Sequence, residues 1–201
     1  MPDIGRRLPP YRVYHNFLDS DAHEALLAWA IENEAKFELP GVGKEGKVDA
    51  LRRVSVVVSD FRPMKAIFSQ RVLDLVPTLI RDLRVTPFEP SEVELELVAH
   101  NDGAFFKRHI DTFTGAARME SDRLLSGVYY FHAEPKAFLG GALRLYPFKD
   151  EVNFAEVQPE QNTLLVFPSW APHEVLPVSC PSGRFSDSRF AVNCWVRRQA
   201  G

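Results

Sequence analysis

Charge of one sign is what this 201-residue chain has least of: 24 Lys and Arg against 27 Asp and Glu leave a net charge of only −3. That balance gives no electrostatic case for binding nucleic acid or an anionic membrane. Long apolar runs are missing as well. None reaches the roughly 20 residues of a membrane span, and the opening MPDIGRRLPPYRVYHNF lacks the apolar stretch of a secretory signal. Cysteine is scarce. Cys180 and Cys194 form no C-x-x-C, and they are expected as free thiols in a reducing compartment. What is present is a globular composition, 45% hydrophobic and 25% charged, in a length that suits one domain and can bury a core without staples. The expectation is a cytoplasmic protein with a single domain over 1–201.

The chain divides by character. Residues 20–38 read as a helix, with Asp21 and Glu24 at capping-box spacing and Leu27, Ala30 and Ile31 on one face beside Leu26 and Trp29. LPGVGKEGKVDA, at 39–50, reads as a mobile loop. The β-branched run at 51–59 reads as one strand. Residues 63–84 keep a 3.6 period from Ile67 and Phe68 to Ile80 and Leu83, with Pro63 near the start and Pro77 expected to kink or split the helix. From 92 onward short strands follow one another at 92–99, 105–110, 124–131, 142–147, 163–168, 173–178 and 189–197. Turn residues separate most of them and no helices intervene. The expected fold is α+β and mainly β. Two N-terminal helices and a first strand (1–91) support a jelly roll over 92–198, the double-stranded β-helix form with a mouth suited to a small site.

FFKRHIDTF, at 105–113, holds His109 and Asp111 two apart, so on a strand both side chains point the same way. His173 lies in FPSWAPHEVLPV, sixty-two residues after Asp111. Two imidazoles and a carboxylate suit Fe(II) on one face of an octahedron, with the other positions open. Two unrelated polar sites is the competing reading. In SRFAVNCWVRR, Arg189 and Asn193 share a strand face, continued by Trp195. An Arg in an apolar strand is costly unless it meets an anion, and its planar fork suits a carboxylate; a structural Asp or Glu would serve as well.

Together these residues resemble the iron(II)- and 2-oxoglutarate-dependent dioxygenase superfamily, specifically its prolyl-4-hydroxylase-like branch. HNDGAFFKRHID resembles the pattern Y-x-x-G-x-x-Y-x-x-H-x-D, with Gly103 and Phe106 in register. GVYYFH, GGALRLYP and FPSWAPHEVLPV resemble the later elements in order, over roughly 92–198. The resemblance implies that His109, Asp111 and His173 hold Fe(II). It implies that Arg189 binds the far carboxylate of 2-oxoglutarate, assisted by Tyr130 or Tyr129, with Phe106 and Asn193 lining that site. It implies hydroxylation of a C–H bond with release of succinate and CO2, ascorbate serving as reductant. A peptidyl residue such as proline is the expected substrate; the alternatives are a small-molecule hydroxylase, and, from another class, a cupin-like metal-binding protein without oxygenase activity.

Three departures from the pattern stand out. His100 replaces the Tyr nine positions before the first ligand, and either lines the co-substrate pocket or is a surface residue at a strand end. His132 stands where Asn is usual. Arg189 lies sixteen residues after His173, beyond the common spacing, which makes SCPSGRFSDS an inserted hairpin and Arg184 a rival carboxylate ligand. Arg184 and Arg189 have four residues between them, not the five expected of a nucleic-acid demethylase, and Asp111 fills the position a halogenase leaves for halide. Loops 39–50 and 112–123 are the expected substrate covers. Arg52, Arg53, Arg118 and Arg123 could steer an acidic group, but each read singly is solvated surface charge.

Overall fold

The computed structural model describes residues 4–40, 50–112 and 121–199. Most of both expected substrate covers, including Arg118, therefore lies outside the described residues. No described helix is long and apolar enough to cross a membrane.

Two helices form where the 3.6 period runs. The first, α1 (Ser20–Glu32), is capped by Asp19, whose side chain accepts from the Ala22 N–H. The cap is thus two residues earlier than the Asp21/Glu24 spacing suggests. Asp21 sits instead in the first turn, where a carboxylate complements the helix dipole. A short 3-10 turn at Glu34–Lys36 replaces the expected last part of the helix. The second, α2 (Met64–Leu83), runs through Pro77 unbroken. Pro77 lies on the exposed side, where water can satisfy the carbonyl its missing N–H leaves free.

The strands are β1 (Arg12–His15), β2 (Arg53–Val54), β3 (Val56–Val58), β4 (Glu92–His100), β5 (Phe105–His109), β6 (Ser121–Phe131) and β7 (Leu139–Gly140). They continue with β8 (Leu143–Leu145), β9 (Ala155–Val157), β10 (Thr163–Pro168), β11 (His173–Val175), β12 (Val178–Ser179) and β13 (Arg189–Gln199). A six-stranded sheet has the order β1-β10-β6-β13-β4-β3, and a five-stranded sheet the order β2-β5-β11-β8-β9; β7 and β12 pair separately. All named pairings are antiparallel. This is the jelly roll with two supporting helices. The run at 51–59 is not one strand: β2 joins the small sheet through β5 and β3 joins the large sheet through β4, so the chain changes sheets at Ser55.

Strand parity splits the core in two. On the large sheet, Leu95, Leu97, Ala99, Leu125, Tyr129, Phe131, Phe190, Val192 and Val196 face the helices and pack with Leu26, Phe68, Leu79 and Leu83. Each fully buried Leu or Phe contributes about 1.5–3 kcal/mol. The alternate residues Val128, Tyr130, Phe167 and Ala191 face the small sheet, against Leu143 and Leu145. The candidate site opens from this second layer. Cys180 and Cys194 are free and buried.

Candidate metal centre

His109 closes β5, and Asp111 follows two residues later, just past the strand end, where its N–H donates to Ser169 O at 3.0 Å. His173 opens β11 and is the register partner of His109. This pairing brings sequence-distant ligands together: His109 Nε2 and His173 Nε2 each lie 3.6 Å from an oxygen of Asp111. Possible ligand atoms of all three residues lie within 4.8 Å of one another.

The surroundings fix the ligands in their binding form. His109 Nδ1 donates to Lys107 O at 2.8 Å, and His173 Nδ1 donates to Ala171 O at 2.9 Å. In its neutral form each ring therefore turns the Nε2 lone pair toward the cluster. Burial, with His173 close by, lowers the pKa of His109 to about 3, so it is neutral at physiological pH. Phe106 stacks on His109 at 3.6 Å between centroids, and Phe167 meets His173 edge-on at 4.7 Å. Burial alone would raise the pKa of Asp111. The two imidazoles and hydrogen bonds from Ser126 and Trp195 outweigh it and hold the carboxyl below its ordinary range. Ser126 Oγ donates to Asp111 Oδ2 at 2.6 Å and lies 2.9 Å from Ser169 Oγ. A hydroxyl has one proton to give, so Ser169 is the donor in the second contact.

Arg189, Asn193 and Trp195 line the same cavity as the triad, together with Arg53, His100, Phe106, Val128, Leu143 and Val175. Arg189 is 1% exposed. Its Nε donates to Gly141 O at 2.8 Å and its Nη1 to His100 Nδ1 at 3.2 Å, while Nη2 has no partner. Its guanidinium carbon lies 4.9 Å over the Tyr130 ring. The Tyr130 hydroxyl, also buried without a hydrogen-bond partner among the described residues, remains a phenol because burial, opposed by the neighbouring Arg189, pushes its pKa up to about 12. A buried guanidinium with no carboxylate beside it among the described residues, near a buried phenol hydroxyl, suits an anion. The donor set beside it suits Fe(II). Both halves of the site thus fit the groups they are expected to hold.

Several expectations need correction. Tyr129 has the wrong strand parity: it faces the helices, where its hydroxyl meets His23 Nδ1 at 2.7 Å and Asn162 Oδ1 at 3.0 Å. Arg184 is not a rival ligand, because it is 73% exposed and pairs with Asp187. The insertion carrying it is anchored by Asn101 and by Phe185, which packs on Phe37 and Phe190. His100 is buried in the cavity wall rather than at the surface. The Gln161 side chain holds the end of β6 through the backbone N–H and carbonyl of His132. Arg53 is not surface charge: it is 9% exposed, donates to Glu96 at 2.7 Å and Ser55 at 2.8 Å, and lies over Phe106. Arg123 pairs with Glu94 and covers the Trp195 ring; Arg52 is exposed. Sequence reasoning missed Ser126, Ser169 and Gly141. Ser126 left a trace, as the one aliphatic hydroxyl on the face that carries Val128 and Tyr130.

Comparison with known proteins agrees with the jelly-roll fold. The family model described as the 2OG-Fe(II) oxygenase superfamily matches residues 95–197. An uncharacterized PKHD-type hydroxylase of Synechocystis is 34% identical over 197 residues, covering 94% of this chain. The chain spans only 63% of that relative's length. Among solved structures, a Pseudomonas putida prolyl-4-hydroxylase is 25% identical with a TM-score of 0.69, covering 95% of this chain and 94% of that one. A Trichoplax adhaerens prolyl hydroxylase, solved with a hypoxia inducible factor peptide fragment, shares the fold at 22% identity and a TM-score of 0.67, covering 94% of this chain and 83% of that one.

Proposed function

The chain belongs to the 2OG-Fe(II) oxygenase superfamily, and on that premise we propose that it couples Fe(II), 2-oxoglutarate and O2 to hydroxylation of a C–H bond in a peptidyl residue such as proline. Iron bound at the triad would supply the oxygen activation, one oxygen atom of O2 ending in succinate as CO2 leaves and the other in the hydroxylated product. The protein's own contribution is binding, orientation and a dry pocket. His109 and His173 offer Nε2 lone pairs because their Nδ1 protons are engaged by backbone carbonyls. Asp111 offers a carboxylate kept ionised and aimed by Ser126. Arg189 and Tyr130 take the distal carboxylate of 2-oxoglutarate, with Asn193 farther along the same wall. Phe106, Val128, Leu143 and Val175 make the walls apolar and keep bulk water from the reacting atoms.

The observation that carries the reading is the buried Arg189 Nη2 without a partner, in the cavity that also holds the triad. Its test is anaerobic titration of the protein with Fe(II) and then 2-oxoglutarate. A visible metal-to-ligand charge-transfer band is expected; its absence, with iron bound, would point to a metal-binding protein without oxygenase activity. The peptidyl assignment is supported by the likeness to the Pseudomonas putida prolyl-4-hydroxylase. Incubation with Fe(II), ascorbate, 2-oxoglutarate and a lysate should yield peptides heavier by one oxygen atom. Succinate production driven only by a low-molecular-weight fraction would replace the peptide with a small molecule.

A further inference from the structure

His100 lines the cavity as a buried polar side chain. It ends β4 as the register partner of Arg189 on β13 and is 3% exposed. Arg189 Nη1 lies 3.2 Å from its Nδ1. A guanidinium can only donate, so Nδ1 is the acceptor. A neutral imidazole that accepts at Nδ1 carries its proton on Nε2. The imidazolium form would set two donors against each other and two cations together. Burial first, then Arg189 and Arg53, hold the His100 pKa well below its ordinary value. Among the described residues the resulting Nε2–H has no partner and is buried, as is Arg189 Nη2. Two orphaned donors on adjacent residues of one cavity wall call for one acceptor group.

We propose that His100 is a co-substrate-binding residue that donates its Nε2–H to the carboxylate lodged against Arg189, in a tautomer that Arg189 itself fixes. This rests on the reading of the cavity as a 2-oxoglutarate site. It also gives the substitution of His for the patterned Tyr a consequence. A phenol can donate or accept, whereas this ring, with Nδ1 occupied, can only donate, so the pocket requires an acceptor oxygen at that point.

Two measurements test it. In the nitrogen-labelled wild-type protein, long-range proton–nitrogen correlation spectra at neutral pH should show His100 as the Nε2–H tautomer. That resonance should move when 2-oxoglutarate is added to the Zn(II)-loaded protein. An Nδ1–H ring, a doubly protonated ring or an unmoved resonance overturns the proposal without any variant needing to fold. In the second measurement, Mn(II)-loaded wild type, His100→Phe and His100→Gln are titrated calorimetrically, without oxygen, with 2-oxoglutarate and with oxalate. Oxalate can chelate the metal but is too short to reach Arg189 as well. His100→Phe should bind 2-oxoglutarate about tenfold or more weakly, His100→Gln should recover much of the loss through its N–H donor, and oxalate affinity should not change. Equal 2-oxoglutarate affinity in wild type and His100→Phe, or an equal loss for oxalate, overturns the assignment. A wild type that binds Mn(II) and oxalate but not 2-oxoglutarate overturns the cavity reading itself, and this proposal with it.

Discussion

His173 stands directly opposite His109 across the β5–β11 ladder, their ring centroids 4.2 Å apart. The candidate metal centre is therefore a property of strand register. A slip of one residue would turn one imidazole to the other side of the sheet. Asp111, beyond the end of β5, depends instead on its backbone bond to Ser169 and its side-chain bond to Ser126.

From this arrangement, His109→Ala, Asp111→Ala and His173→Ala should each abolish 2-oxoglutarate turnover while the protein stays folded, since none of the three belongs to either main apolar cluster. Succinate assays beside circular dichroism check this. Near-normal turnover in any one variant would remove that residue from the ligand set. Asp111→Gly should open a coordination position, ending hydroxylation while leaving measurable iron affinity.

Ser126→Ala removes the hydroxyl that aims Asp111 without touching a ligand. Losing a partner of this kind typically costs about 10- to 100-fold in metal affinity or activity. Competition for Fe(II) against a calibrated chelator should show such a loss, with thermal stability little changed. Unchanged iron affinity would mean that Trp195 and Ser169 suffice to hold the carboxylate.

Arg189→Ala should weaken 2-oxoglutarate binding far more than iron binding. A charge-assisted contact in a buried site is worth roughly 1.5–3 kcal/mol, or about 10- to 150-fold in affinity. Arg184→Ala should have no such effect, because Arg184 is exposed and paired with Asp187. A large effect from Arg184 with none from Arg189 would reverse the assignment.

Acid should destabilise the metal-free protein through the same ligands. The pKa of His109 falls from an ordinary 6.5 to about 3 on folding, so below about 6.5 the unfolded chain binds the extra proton. The stabilisation is complete above that value and is lost as pH falls toward about 3. His100 acts with the same sign. Asp111, also lowered, contributes above its ordinary 3.8 and loses its contribution as pH falls through its lower folded value. Urea midpoints measured from neutral pH down to about pH 4 should fall, and His109→Gln, which does not titrate, should flatten the fall.

How much of this was legible in the chain depended on whether the signal was local. The alternation of β4 and the dense apolar run of β10 gave both strands almost to the residue, and the His109, Asp111 and His173 trio was readable by residue type and order. β1 escaped notice because four residues, Arg12–His15, carry too short a pattern to stand apart from a loop. Arg53 read as surface charge because its partner Glu96 lies forty-three positions away. The choice between Tyr129 and Tyr130 needed the absolute parity of β6. Periodicity gives alternation along a strand but not which face meets which layer. Ser126 and Ser169 act only across a sheet gap, so Ser169 carries no sequence signature and Ser126 only its place as a hydroxyl on one face of β6.

The Gly140-Gly141 pair makes the most specific test of how the hairpin serves the site. Gly141 has φ +70°, and a Cβ added there would lie 2.5 Å from Arg189 Cδ and 2.9 Å from Val178 Cγ2. Its carbonyl also holds Arg189 Nε. Gly141→Ala therefore combines backbone strain with a push on the guanidinium. Gly103, at φ +72°, supplies the control, because nothing lies within 4 Å of a Cβ added to it. Gly103→Ala should cost only the strain, about 1–2 kcal/mol, with 2-oxoglutarate affinity unchanged. Gly141→Ala should lose that much or more in stability and also bind 2-oxoglutarate more weakly, with iron affinity retained because the triad lies on other segments. Equal 2-oxoglutarate affinities in the two variants would show that Arg189 can shift without leaving its anion, and that Gly141 serves the turn alone.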